Sequence, residues 1–221
     1  MMATPADLED FAVGFSLSEG VVDRPQHIRD IDLVSSDLGV ELRMWLAPGY
    51  ASRLASRRRR LAGPTGCGLC GIESLAEARA TLPVVPGKMR IGPAELLSAM
   101  AALGEEQALG RATRAAHAAG FWSEGGLRAL REDVGRHNAL DKLVGSLARD
   151  GASSQGVLLL TSRVSVEMVQ KAARFGAPVL CAVSAPTTLA VRAAEAAGLT
   201  LVAVARSDGL EVFSHPDRVR W

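Results

Sequence analysis

The first apolar positions of the chain recur at helical spacing. Between Leu8 and Leu17 they form one face of a helix, and Gly20 follows as a stop signal. Thr4 is suited to the N-cap, and Pro5 is suited to the first helical position. The pattern therefore predicts a helix that starts at Pro5 and ends before Gly20.

The next apolar segments alternate with polar residues, as strands do. Residues 28–35 and 40–46 are predicted to be two strands of a hairpin, joined by Ser36-Asp37-Leu38-Gly39. From residue 48 to residue 71 the regular pattern stops, and glycine, proline and arginine dominate. This composition predicts a long loop, and long ordered loops are often functional.

The rest of the chain alternates between helical and strand patterns. Helices are predicted over residues 93–109, 136–150, 164–175 and 186–197, and strands over 113–122, 127–133, 156–161, 179–183, 199–205 and 210–213. Short strand–helix–strand connections imply parallel pairing with right-handed crossovers. We therefore expect an α/β fold whose mixed sheet is flanked by helices. A smaller α+β portion (residues 1–85), which contains the Cys67 loop, would precede the core (residues 86–221). The alternative is that both form one compact unit.

Composition and charge narrow the function classes. Lys and Arg number 25 and Asp and Glu 24, so the formal net charge of +1 does not suggest a nucleic-acid partner. We expect no membrane partner and no signal peptide, because acidic residues interrupt the opening segment and charges interrupt the most apolar one. Three cysteines are too few for a disulfide framework, so a cytoplasmic protein with reduced thiols is expected.

Cys67 and Cys70 are the first candidates for chemistry. Two thiols at this spacing can form half of a zinc site, a reversible disulfide or a sulfur-carrying pair. No second Cys-x-x-Cys and no pair of histidines three to five residues apart completes a zinc site, and His117 lacks the nearby glutamate of a zinc deaminase. The flanking glycines and the arginine run at 57–60 favour an accessible thiolate. That run also has three interpretations of its own: a solvated loop, a docking patch for a partner protein, or an electrostatic funnel for a phosphate-bearing ligand.

Two further segments could hold a ligand. Residues 131–142 combine charged residues, His137 and Asn138 at a strand-to-helix junction, where an anion could bind. In the alternative interpretation, Asp133 caps the helix, Gly135 forms the turn before it, and His137 is a satisfied core histidine. The second segment consists of Val204, Ala205, Arg206, Ser207, Asp208 and Gly209, just after a predicted parallel strand. Whether or not this segment binds a ligand, its Ser-Asp-Gly sequence predicts a turn into the last strand.

These residues together resemble the FdhD family of formate dehydrogenase accessory sulfurtransferases. The resemblance is carried by four segments: Thr4-Pro5 with the residues up to Gly20, Cys67-Gly68-Leu69-Cys70-Gly71, residues 132–142, and residues 171–173 with 183–187. Two positions depart from the family pattern. Arg114-Ala115 stands where Gly-Gly is usual after a threonine, and Gly209 stands where arginine is common.

The resemblance implies a fold similar to that of cytidine deaminases and a persulfide on Cys67, with Cys70 as an accessory thiol. The implied partners are a cysteine desulfurase as donor and formate dehydrogenase as recipient. The implied acceptor is the molybdenum cofactor bis(molybdopterin guanine dinucleotide), contacted by Val204 to Gly209. We also expect a homodimer and no permanently bound metal. Two alternatives remain open: a non-enzymatic chaperone of the cofactor and a zinc-dependent hydrolase.

Overall fold

The computed structural model describes residues 1–53, 82–87 and 89–221. Its helices are α1 (Leu8–Ser18), α2 (Pro93–Glu106), α3 (Ala108–Thr113), α4 (Arg136–Arg149), α5 (Val166–Phe175) and α6 (Thr188–Ala197). Its strands are β1 (Ile28–Ser36), β2 (Gly39–Leu46), β3 (His117–Ser123), β4 (Gly126–Asp133), β5 (Val157–Leu160), β6 (Val179–Ala182), β7 (Thr200–Arg206) and β8 (Gly209–Ser214). Short 3₁₀ turns cover Pro25–His27 and Pro216–Arg218.

A mixed six-stranded sheet forms the centre of the fold, in the order β4-β3-β5-β6-β7-β8. Strands β5, β6 and β7 are parallel, whereas β3, β4 and β8 pair antiparallel with their neighbours. The predicted mixed α/β architecture with flanking helices is confirmed. The predicted hairpin is also confirmed, because β1 and β2 pair antiparallel in a separate two-stranded sheet.

Each face of the large sheet has its own core. Leu158 and Leu160 of β5 point into a core shared with α4, α5 and α6. Val157 and Leu159 point to the other face, where α2 covers a second core. Alternate residues of a strand face opposite sides, so a fully apolar β5 must be covered on both. The sheet is therefore the middle layer of three.

Helix α1 lies outside these layers and packs against α4 through two glycines. A Cβ on Gly14 would lie 1.7 Å from the carbonyl oxygen of Asp141, and a Cβ on Gly145 would lie 1.9 Å from the carbonyl oxygen of Asp10. Real side chains do not tolerate such distances, so only glycine allows the two backbones to approach this closely. The proposed division of the chain at residue 85 stays a prediction.

The predicted start of the first helix is wrong. α1 begins at Leu8, after Asp7 in a left-handed conformation with φ 52°, and no side chain caps it. Thr4 lies ahead of the helix, where its Oγ1 accepts a hydrogen bond from the Val134 N–H at 3.1 Å. A long-range contact has thus replaced the local cap, which a local sequence pattern does not reveal.

The predicted helix over residues 93–109 is divided into two. α2 ends at Glu106, and α3 starts after Gln107. The carboxylate of Glu132 accepts hydrogen bonds from the N–H groups of Leu109 and Gly110, at 2.8 and 2.7 Å. This distant carboxylate stabilises a second helix start, because early N–H groups of a helix lack partners within it.

Arg114 ends α3 in a left-handed conformation, with φ 54°. Arg114 is the first residue of the Arg114-Ala115 pair, which stands where the family pattern has Gly-Gly. A side chain in this conformation costs about 1 kcal/mol. The departure therefore adds strain at this position.

Within the described ranges, no helix combines the length and the apolar character needed to cross a bilayer.

Replacing Gly145 with alanine should destabilise the protein by about 3 kcal/mol, because the new methyl group overlaps the α1 backbone. Gly104→Ala is the matched control, since that helical glycine has no atom within 4 Å of an added Cβ. The control should be neutral or should stabilise by up to about 1 kcal/mol. Urea unfolding of both variants gives the comparison, and equal stabilities would contradict the close helix crossing.

Candidate functional site at the carboxyl edge of the sheet

The carboxyl ends of the parallel strands converge with two helix starts. β4 ends at Asp133, which pairs in register with His117 at the start of β3. Helix α4 begins three residues later, and α5 begins shortly after β5 ends at Leu160. Ligands of open α/β sheets bind at this edge. The polar side chains there form the candidate site.

A fully buried ion pair joins the end of β4 to α4. Lys142 Nζ lies 2.6 Å from Asp133 Oδ2, and neither side chain is exposed to solvent. Asp133 Oδ1 accepts hydrogen bonds from the Gly135 N–H and from Asn138 Nδ2, at 2.8 and 3.0 Å. Thr4 completes the set, since its N–H donates to Asp133 and its carbonyl accepts from Lys142, both at 2.9 Å. The segment at 131–142 thus holds the amino-terminal segment in place through hydrogen bonds to Thr4. Removal of one partner of the buried Asp133–Lys142 ion pair would destabilise the protein by about 3–5 kcal/mol.

A second buried ionic cluster joins α1, α4 and α5. Lys171 Nζ contacts Asp141 Oδ1 at 2.8 Å and Glu19 Oε1 at 2.8 Å. Burial raises the pKa of Asp141, and the charge of Lys171 opposes that rise. Burial alone would lower the pKa of Lys171, but Asp141 and Glu19 outweigh it and the pKa is raised. The lysine therefore stays charged and links the three helices.

His137 lies one helical turn before Asp141, above this cluster. Burial lowers its pKa to about 4, and the positive charges of Arg136 and Lys171 add to the effect. In the described part of the chain its Nε2 atom is buried without a hydrogen-bond partner. The unpartnered Nε2 favours a ligand contact over a satisfied core histidine, and the choice between the two stays a prediction. At neutral pH His137 presents an uncharged imidazole.

Glu167 lies on α5, one helical turn before Lys171. Glu167 Oε2 is also buried without a partner among the described residues, as is the Oγ of Ser165. Ser165 is the N-cap residue of α5, yet its side chain makes no cap hydrogen bond. These free polar atoms sit at the level of His137, since Asp141 and Lys171 connect the helices one turn below.

Two arginines make the edge cationic. Arg136 and Arg163 both lower the pKa of His117, whose largest perturbation is burial. Among the described residues, Arg136 Nε is buried and has no hydrogen-bond partner. With both imidazoles neutral, guanidinium groups and the amide groups of two helix starts provide the local positive charge. The arrangement suits an anionic ligand.

Comparisons with known proteins agree on one family. The model of the FdhD/NarQ family matches residues 1–220. The chain belongs to the FdhD/NarQ family. The sulfur carrier protein FdhD of Agrobacterium fabrum is 50% identical over 222 residues, which cover 99% of this chain and 82% of the relative. The protein of the same name from Bordetella petrii is 47% identical, over 100% of this chain and 80% of the relative.

A solved structure is similar as well. A protein from Desulfotalea psychrophila, described as a formate dehydrogenase accessory protein, superposes with a TM-score of 0.76 and 28% identity. The match covers 99% of this chain and 82% of that chain. The family's fold therefore extends over the chain described above.

Part of the predicted FdhD/NarQ site lies outside the described residues. Cys67 and Cys70 belong to this part, as does the arginine run at 57–60. The third cysteine, Cys181, is buried in the core on the α2 side of the sheet, and burial raises the pKa of its thiol to about 12. Cys181 is therefore unreactive.

The predicted ligand segment from Val204 to Gly209 covers the end of β7, the turn residues Ser207 and Asp208, and the first residue of β8. Val204 has φ 51°, and its N–H donates to the Ser184 carbonyl at 3.5 Å. Ala205 is buried, while Arg206, Ser207 and Asp208 are exposed. The turn shares the carboxyl edge with the two arginines described above, across strands β5 and β6. Its contact with a ligand stays a prediction.

The sequence interpretation missed Arg163, Ser165 and Glu167. These residues follow directly after the buried apolar strand β5, within the polar run Thr161-Ser162-Arg163 and its continuation. A polar run at the end of a parallel strand is a signal that could have identified them. Among the described residues, no group of three or more His, Cys, Asp or Glu side chains could hold a metal ion.

The low pKa of His137 predicts a specific pH dependence of stability. An unfolded histidine has a pKa near 6.5, so between about pH 6.5 and pH 4 the unfolded chain binds more protons than the folded protein. Stability should therefore fall with decreasing pH in this range, with a contribution of up to about 1.4 kcal/mol per pH unit from this residue.

Urea unfolding of the native protein and of His137→Gln, across this pH range, measures the contribution. The variant should lose less stability on acidification, and His215→Gln serves as the control for removal of an imidazole elsewhere. Equal pH slopes for the native protein and His137→Gln would show that His137 is not held neutral.

Proposed function

We propose that this chain is a cytoplasmic sulfur carrier that supports formate dehydrogenase. Sulfur would arrive from a cysteine desulfurase, reside on Cys67 as a persulfide, and pass to the bis(molybdopterin guanine dinucleotide) cofactor as the acceptor substrate. The observation that carries the proposal is 47–51% identity, over nearly the whole chain, to proteins named sulfur carrier protein FdhD. The structural neighbour described as a formate dehydrogenase accessory protein supports the pathway.

The loading step is thiol chemistry. The Cys67 thiolate attacks the outer sulfur of the donor's persulfide, a new S–S bond forms at Cys67, and the donor cysteine leaves as a thiolate. No net oxidation or reduction occurs, because one S–S bond replaces another. A thiolate is the required nucleophile, so arginines near Cys67 in the sequence favour the step.

Cys70 has the accessory role in this proposal. Its thiolate can attack the inner sulfur on Cys67, which forms a Cys67–Cys70 disulfide and releases the outer sulfur as hydrosulfide. The two cysteine sulfurs supply the two electrons, and a later thiol reductant would restore them. The spacing of the two cysteines allows such a disulfide.

The carboxyl edge of the sheet would hold the acceptor. Arg136, Arg163 and the starts of α4 and α5 favour an anionic group, which fits the phosphates of a dinucleotide. Arg206 and the turn that follows it would extend the contact surface along the same edge.

The proposal also includes two expectations that do not concern the acceptor site. These are a fold similar to that of cytidine deaminases and a homodimeric assembly.

A cofactor chaperone without sulfur chemistry is the second candidate. It is favoured by one observation, that the polar groups described at the edge are suited to holding an anion. Both candidates share the cofactor site, so the role of Cys67 separates them.

Cys67→Ser should abolish activation of formate dehydrogenase and leave the fold intact. The measurement is dehydrogenase activity in cells that depend on this protein, together with the mass of the purified protein after incubation with a desulfurase and cysteine. Cys181→Ser is the matched control. It should still activate formate dehydrogenase and still gain the mass of one sulfur atom, because the Cys181 thiol is buried and protonated. Full activation by Cys67→Ser would exclude the persulfide and favour the chaperone.

Arg206→Gln should weaken the binding of guanosine diphosphate about tenfold, since one charge-assisted contact to phosphate is lost. Arg192→Gln removes the same charge from an exposed position on α6 and should leave the affinity unchanged. Isothermal titration of both variants gives the affinities. Equal affinities for both would contradict the assignment of the β7–β8 turn.

A further inference from the structure

The first turn of α5 buries two polar side chains. Ser165 and Glu167 are each 8% exposed. The Oγ of Ser165 and the Oε2 of Glu167 are buried and, within residues 1–53, 82–87 and 89–221, have no hydrogen-bond partner. A buried polar atom without a partner costs free energy, so two of them at one place need an explanation. A ligand that supplies the partners is such an explanation.

Backbone hydrogen bonds place this turn beside the segment that follows β6 and the end of β7. The Val164 N–H donates to the Ala185 carbonyl at 3.4 Å, and the Thr187 N–H donates to the Val164 carbonyl at 2.9 Å. The Val204 N–H donates to the Ser184 carbonyl at 3.5 Å. The start of α5 and the β7–β8 turn therefore lie on two sides of the same segment, at the carboxyl edge of the sheet.

The distance across these segments suits an extended ligand. Neighbouring strands lie about 4.8 Å apart, so two steps from β5 to β7 cover about 10 Å. Arg163 stands on the β5 side and Arg206 on the β7 side, and guanidinium groups bind phosphate well. Glu167, four residues after Arg163, repels phosphate and attracts N–H donors. The charges therefore fit a ligand with phosphate in one part and N–H groups in another.

The chemistry of a carboxylate narrows the second part of that ligand. An ionised carboxylate has only acceptors, and it can accept from two neighbouring N–H donors, one at each oxygen. The aminopyrimidinone ring presents this pattern, because its ring N–H lies beside an exocyclic amino group. Guanine and pterin both contain this ring. Its carbonyl lies on the other side of the ring N–H, where a hydroxyl such as that of Ser165 can donate.

We propose that Glu167 recognises the aminopyrimidinone ring of the ligand that binds at the carboxyl edge. This inference rests on the proposed function, which places a phosphate-bearing cofactor at this edge. Glu167 accepts from the ring N–H and the amino group, and Arg163 and Arg206 hold phosphate. Glu167 is then a specificity-determining residue, since a site built to hydrogen-bond a ligand rejects an analogue that lacks the donor.

Two pairs of probes isolate the amino group. Guanosine diphosphate and inosine diphosphate differ only in this group, and so do pterin and 4-hydroxypteridine. Isothermal titration of the full chain should show about tenfold or more tighter binding of the amino-bearing member in one pair, because its loss leaves a buried carboxylate oxygen unpaired. The pair that shows the difference identifies which ring, guanine or pterin, lies at Glu167.

Glu167→Gln tests the residue itself. The variant keeps the size of the side chain but replaces one acceptor with an amide NH₂ group, which meets the donors of the ring. The tenfold preference should disappear. Glu195→Gln removes the same charge from an exposed position on α6, and this matched control should keep the native preference. Because the measurement is a ratio of two affinities, a structural defect that weakens both probes alike does not imitate the effect.

Three results would overturn the inference. A native protein that binds both members of each pair equally would do so, as would a native preference in Glu167→Gln, and both results would leave the proposed function intact. The third result, no binding of guanosine diphosphate or pterin, would also contradict the proposed cofactor site. The Cys67→Ser experiment uses neither probe, so sulfur transfer and the role of Glu167 can fail separately.

Discussion

The close crossing of α1 and α4 is the constraint on which the other long-range contacts depend. Because Gly14 and Gly145 have no side chains, the two backbones approach until an added Cβ would overlap a carbonyl oxygen. At this distance the short side chain of Asp10 reaches Arg131 at 2.8 Å and Arg149 at 2.6 Å. At the other end of α1, Glu19 reaches Lys171. A wider separation would leave buried charges without their partners, which costs several kcal/mol for each.

The same constraint shapes the electrostatics of the carboxyl edge. With Glu19 and Asp141 on either side, Lys171 remains charged inside the protein, and its charge helps to keep His137 neutral. Neutral imidazoles and charged guanidinium groups then coexist at one edge. An anion that enters there would meet the guanidinium groups of Arg136 and Arg163, while Lys171 offsets the charges of Glu19 and Asp141. The charges of the described groups at this edge are therefore compatible with an anionic ligand.

The amino-acid sequence by itself determined the order of the helices and strands and the family of the chain. Apolar periodicity is local and gave the strands of the parallel sheet within about two residues, and the Cys67 loop and residues 132–142 carried the resemblance. Tertiary structure decided what local patterns do not contain. Thr4 binds Val134 and Asp133 instead of capping a helix, Glu132 starts α3 from a distant strand, and His137 meets Lys171 across two helices. Each of these depends on groups far apart in the chain, because a polar atom that folding buries pairs with whatever partner the fold brings near.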